Sequence, residues 1–187
     1  MTLFEYLAVF VSIVLSFGVI RLLDGIPVVV RRGRYYLIHA IWVSIILFMH
    51  VNYWWVLWSF NVGIAWNYPR FLLVLASPVL LYSLAITLVP RDTDSVESWR
   101  SHFYSVHTRF FAVFAAWWLV IGLANLFVLS QPLFNGFRLT QGTFIVLCLV
   151  GAVTKRPRFH GLFVAAMLIT SIFLVVLVFF QAGPLNR

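Results

Sequence analysis

Six stretches of the chain are long apolar runs, separated by short segments rich in Gly, Pro and Arg. The first extends from Leu3 to about Ile20. It continues through Arg21, Leu22, Leu23 and Asp24 to the breaker pair Gly25 and Pro27, where a helix is expected to stop. The second runs from Tyr36 to Phe60, the third from Phe71 to Val89 and the fourth from Phe110 to Leu129. A weaker fifth covers Leu139 to Thr154, and a sixth covers Gly161 to Phe180. Several of these runs approach the roughly 20 residues that cross about 30 Å of hydrocarbon as a helix. Strands of a membrane barrel alternate polar and apolar residues, and the unbroken run from Phe173 to Phe180 does not. The pattern predicts an all-α, polytopic transmembrane bundle of six spans, forming one helical domain over residues 1–187.

The polar segments supply an orientation. The first loop holds Arg31, Arg32 and Arg34, the third holds Arg91, Arg100 and Arg109, and the fifth holds Lys155, Arg156 and Arg158. The second and fourth hold only Arg70 and Arg138, and Arg187 stands at the C-terminus. Cytoplasmic loops carry the excess of Lys and Arg, so odd loops are expected inside and both termini outside. The third loop, Pro90 to Arg109, is the longest and carries Asp92, Asp94 and Glu97; it reads as a short surface element with Asp92, Asp94 or Ser95 able to cap a turn. Tyr53, Trp54, Trp55, Trp58, Trp66 and Tyr68 surround the second loop, as amphipathic rings do at headgroup level. Met1 to Glu5 lacks the basic region of a cleavable signal, and the first run is expected to be retained.

Composition narrows the function classes. The 187 residues are 63% hydrophobic and only 10% charged, too little polar surface to cover a soluble domain. The chain carries 13 Lys+Arg against 5 Asp+Glu, but the cations sit between apolar runs rather than on a basic helix or polar domain. They are expected to orient the chain and to meet anionic headgroups at Arg31, Arg32, Arg34, Lys155, Arg156 and Arg158, not nucleic acid. Cys148 is the single cysteine and is expected to be a small core residue. No phosphate loop, paired-Cys motif or GxSxG elbow occurs, and the only lysine, Lys155, lies in a loop, which argues against a retinal Schiff base. No cofactor is expected, and an enzyme is the less favoured reading.

Charged and titratable residues in apolar runs are where function is first sought. Arg21 and Asp24 share one side of the first helix, three residues apart, where they can pair or be bridged by water. Glu5 reads as a solvated end residue of the same helix. His39 and His50 lie on nearly one face of the second helix but about 16 Å apart along it, too far to hold one metal ion. His39, His107 and His160 all fall toward the inner side, with His102 nearby, and form a weak candidate metal or haem cluster. Ala8, Ser12 and Ser16 recur every four residues and predict a face of close helix contact. Pro78, beside Ser77, is expected to kink the third helix. Asn125 and Thr143 are expected to hydrogen-bond across the interior.

These features favour a small transport protein or ion channel, working as an oligomer, with Arg21, Asp24, His50 and Asn125 as path candidates. The alternatives are a membrane subunit or scaffold of a larger complex, and a redox or metal-binding membrane protein using the inner histidines. The orientation has a direct check in a Cys148→Ser background. A cysteine placed at Arg156 should react with an impermeant maleimide only after the membrane is opened, and one at Asn135 should react in sealed cells. The reverse pattern inverts the topology.

Overall fold

A computed structural model describes residues 2–176 apart from positions 32 and 62, so Arg32, Arg187 and the last part of the sixth run lie outside the described residues. Six helices follow in order: α1 (Leu3–Val29), α2 (Leu37–Leu57), α3 (Tyr68–Leu88), α4 (Trp99–Phe127), α5 (Gly136–Val153) and α6 (Pro157–Leu174). A short 3₁₀ turn, Trp58–Phe60, extends α2, and no strand occurs among the described residues. Each of the six helices is long and apolar enough to cross a membrane, the weak fifth run included. The fold is that of a multi-pass helical membrane protein.

The helix ends differ from those the apolar runs predict. Thr2 and Glu5 form a capping box at the start of α1, with Thr2 Oγ1 accepting from Glu5 N at 3.2 Å and Glu5 Oε2 accepting from Thr2 N at 2.8 Å. Gly25 and Pro27 do not stop this helix, which continues to Val29. Gly25 is instead a notch filled by Val89 at the C-terminal end of α3, since a Cβ there would come within 2.6 Å of a Val89 methyl. The fourth helix starts at Trp99 and not near Phe110, which moves Arg100, His102, His107 and Arg109 from the expected loop onto a helix. Burial of Trp99 and Phe103, both fully enclosed, fixes that earlier start. Asn135 caps α5, its side-chain oxygen accepting from Arg138 N at 2.8 Å, and Pro157 opens α6 at a position that has no use for an N–H. Asp92 organises a turn in the third loop, accepting from the backbone N–H groups of Asp94 and Ser95, but caps no helix.

The long α4 packs against α3 on one side and α5 on the other; α1 packs against α3 and α2, and α2 also meets α3 and α6. The inward face of α1 is Phe4, Leu7, Val11, Leu15, Gly18, Leu22, Gly25 and Val29, at helical spacing. Ala8 and Ser12 are half-buried at the edge of that face, with Ala8 packed against the core. Ser16 is exposed, and both serines bond back to their own helix, at Ala8 O and Ser12 O. Thr143 does likewise, donating to Leu139 O at 2.9 Å. Small residues do matter at Gly18, where any Cβ would overlap the His50 imidazole, so the glycine is what lets α2 bring that ring against α1.

Pro78 removes the N–H that Val74 O would receive in a regular helix. The buried Tyr53 hydroxyl on α2 takes its place, donating to Val74 O at 2.9 Å. In hydrocarbon, where no water can fill the gap, this bond makes the proline tolerable and ties α2 to α3.

Three bonds gather the odd-numbered loops at one end. Arg34 Nη1 donates to Val96 O at 3.0 Å, Trp99 N donates to Arg34 O at 3.1 Å, and Thr108 Oγ1 donates to Ala152 O at the foot of α5 at 2.8 Å. The described cations of the first, third and fifth loops thus belong to one face of the bundle, the basic end. Gly18→Ala should lower stability by about 1–3 kcal/mol through overpacking against His50. Gly142→Ala, at a position with nothing within 4 Å, should be neutral or mildly stabilising. Thermal unfolding of both variants in one detergent makes the comparison.

Candidate functional site

The basic end carries a layer of histidine and aromatic rings built from the N-terminal parts of α2, α4 and α6. Trp99 anchors it. Its indole Nε1 donates to Val28 O in the last turn of α1 at 3.1 Å, and its ring stacks on His39 with centroids 4.9 Å apart. His39 also meets His102 edge-on at 5.8 Å and Phe103 at 6.3 Å. On the far side of Phe103 stands a second pair, His107 and His160, with centroids 6.0 Å apart and planes at 86°. Tyr104 touches both members of that pair, and its hydroxyl lies 3.2 Å from the hydroxyl of Tyr36. Burial, then the bond to Tyr104, raises the Tyr36 pKa, so this hydroxyl stays neutral and available for hydrogen bonding.

The hydrogen-bond partners of these rings are specific. His107 Nδ1–H donates to Tyr104 O at 2.7 Å, His160 Nε2–H donates to Thr154 O at 2.9 Å, and His102 Nε2–H donates to Thr87 O at 3.3 Å. A carbonyl only accepts, so each bond fixes its imidazole's tautomer and leaves the other nitrogen as a lone pair. His160 Nδ1 is buried with no partner. Neither nitrogen of His39 makes a hydrogen bond, although the Leu88 carbonyl is close by. Each unpartnered buried nitrogen costs about 1–3 kcal/mol, which phenylalanine in the same space would not.

The sequence candidates fall in several places. His107 and His160 come together, while His39 joins His102 beyond Phe103, so the three expected metal candidates do not form one set. Among the described residues, no group of three or more His, Cys, Asp or Glu is placed to hold a metal ion. Arg21 does not pair with Asp24. Its Nε–H crosses to Val89 O at 2.9 Å, while Asp24 is exposed. The Val89 carbonyl is left free because Pro90 ends the helical pattern there, and it attracts the guanidinium that the sequence reading assigned to the carboxylate.

His50 is fully buried at the meeting of α1 and α2, with Nδ1–H donating to Ile46 O at 2.7 Å and Nε2 unpartnered beside Gly18. An apolar groove of about 430 Å³ lies next to it, lined by Leu15, Ser16, Val19, Ile20, Val51 and Trp54. Asn125 is half-buried near the opposite end of α4, where its backbone carbonyl accepts from Gln131 N at 2.9 Å. Cys148 is buried in α5, as expected.

Two features were not legible beforehand. Trp99 sits outside every apolar run, and nothing in its neighbourhood marks it as a keystone. Arg138, counted as a loop cation, lies on α5. Its Nη1 donates to Gly122 O at 2.6 Å and to Gln141 Oε1 at 3.3 Å, and Gln141 Nε2 donates to Trp118 O. A Cβ at Gly122 would collide with the Gln141 amide, so the glycine makes room for this α4–α5 clasp.

No protein-family model, curated protein or solved structure matches the chain. The geometry therefore defines a class alone: a multi-pass helical membrane protein with a buried histidine layer at its basic end. His39→Phe should leave stability unchanged or raise it, because packing is kept and two unpartnered nitrogens are removed. Trp99→Ala should cost about 3–5 kcal/mol. If unfolding measurements find His39→Phe as damaging as Trp99→Ala, the nitrogens of His39 are structural.

Proposed function

We propose that this chain is a small membrane transport protein whose working site is the histidine layer of α2, α4 and α6. The observation that carries the reading is the placement of buried imidazoles with unpartnered nitrogens in a span end, where ionisable groups are expensive and apolar rings would pack as well. Such nitrogens accept a proton or a cation. Taking up charge there would force the tight ring contacts around Phe103 to rearrange, and that coupling is the basis of transport in this proposal. Arg21 and Asp24 flank the same end and His50 lies deeper, so they serve as secondary path candidates, with Asn125 toward the other end. The arginines and Lys155 of the odd loops hold the basic end against anionic headgroups, and assembly as an oligomer belongs to the same proposal.

One observation favours a second reading, that of a helical subunit or scaffold. Trp42 is surrounded edge-on by Phe110, Phe111, Phe114 and Phe163 at 5.2–5.6 Å, filling the bundle between α2, α4 and α6 with rings. Such packing is suited to a rigid membrane anchor.

Proteoliposomes containing the purified chain decide between the two. Flux under K⁺, Na⁺, Cl⁻ and proton gradients should appear and fall at least about tenfold in His160→Gln and His39→Gln, with Asp24→Asn and His50→Ala tested alongside. No flux under any gradient would abandon the transport reading and leave the subunit reading.

A further inference from the structure

The geometry points to a two-coordinate site for a soft monovalent cation, Cu(I), between His107 of α4 and His160 of α6. Four observations meet at this pair. Each ring has one nitrogen held by a backbone carbonyl, His107 Nδ1–H by Tyr104 O and His160 Nε2–H by Thr154 O. That arrangement orients metal-binding histidines generally, because it fixes the tautomer and makes the other nitrogen more basic. The remaining nitrogens, His107 Nε2 and His160 Nδ1, are lone pairs. Thr108 Oγ1 stands 3.5 Å from His107 Nε2, but its proton is given to Ala152 O at 2.8 Å, so it does not consume that lone pair.

The spacing is the second observation. Metal–nitrogen bonds are about 2.0 Å and an imidazole nitrogen lies about 1.1 Å from its ring centre, so two rings whose free nitrogens face each other across one ion have centres up to about 6.2 Å apart. The centroids of His107 and His160 are 6.0 Å apart.

The third is the absence of further ligands. Zn(II) and comparable divalent ions take four, and no third His, Cys, Asp or Glu joins the pair among the described residues. Two neutral nitrogens satisfy a soft d¹⁰ monovalent ion and leave a divalent one under-coordinated.

The fourth is the surrounding shell. Phe103, Tyr104, Phe111 and Phe159 lie 5.3–5.7 Å from the His160 ring, with Phe111 stacked on it. His107, His160, Phe103 and Phe111 are all buried. A largely aromatic wall limits the water that a divalent ion would require. The pair of His39 and His102 lacks these features: the His39 tautomer is fixed by no hydrogen bond, and His102 is only half-buried.

This site rests on the pair's own geometry and not on transport activity. Cu(I) binding without flux would leave it standing, and proton flux without Cu(I) binding would remove it while the transport reading survived.

The test uses the full chain in detergent, titrated anaerobically with Cu(I) under ascorbate against a chromophoric Cu(I) chelator. One Cu(I) per chain is expected. His107→Gln and His160→Gln should each weaken it at least about 100-fold, while His39→Gln, His102→Gln and Cys148→Ser leave it within about threefold. X-ray absorption of the loaded native protein should show two nitrogen scatterers near 2 Å with the edge of linear Cu(I). That spectrum requires no variant to fold. Failure to retain Cu(I), loss of binding in Cys148→Ser with retention in His160→Gln, or a three- or four-coordinate spectrum would each overturn the assignment.

Discussion

Hydrocarbon supplies no hydrogen-bond partner, so every backbone carbonyl that a helix leaves free must find a donor from within the protein. The joints of this bundle follow from that constraint. Pro78 frees Val74 O, and Tyr53 reaches across from α2 to take it. The last turns of α1, α3 and α5 end in carbonyls, and Trp99, His102 and Thr108, all on α4, donate to Val28 O, Thr87 O and Ala152 O. Arg21 does the same at Val89 O. Helix α4 is thus pinned to three neighbours near the basic end by side chains that donate to backbone carbonyls at their helix ends.

The histidine layer grows from the same geometry. The starts of α4 and α6 bring imidazoles that each give one nitrogen to a carbonyl, whereas His39 of α2 gives none. Their inward nitrogens are left among rings. Phe103 divides the layer, so it behaves as two pairs and not as one cluster. The pairs differ in chemistry, because a carbonyl-held tautomer is a prepared ligand and an unheld one, as in His39, is a buried cost.

Glycine placement shows how the bundle trades packing for polar contacts. Gly18 admits His50, Gly25 admits Val89 and Gly122 admits Gln141. At two of these three positions the guest is polar: Gln141 reaches the Trp118 carbonyl of the neighbouring helix, while His50 sets an unpartnered nitrogen against α1. Repeated small residues on Ala8, Ser12 and Ser16 look similar in sequence but carry no such guest.

The sequence by itself determined the six spans, because lipid selects for long apolar runs and those runs are local properties of the chain. It also determined that the basic loops share one end, since successive spans must alternate direction. The helix start at Trp99, the divided histidine layer and the turning of Arg21 from Asp24 to Val89 O were decided only by tertiary structure. Each depends on a carbonyl or a cavity supplied by a residue far away in the chain. An apolar pattern records how much of a residue lies in lipid or core; it holds no record of which distant backbone atom needs a donor.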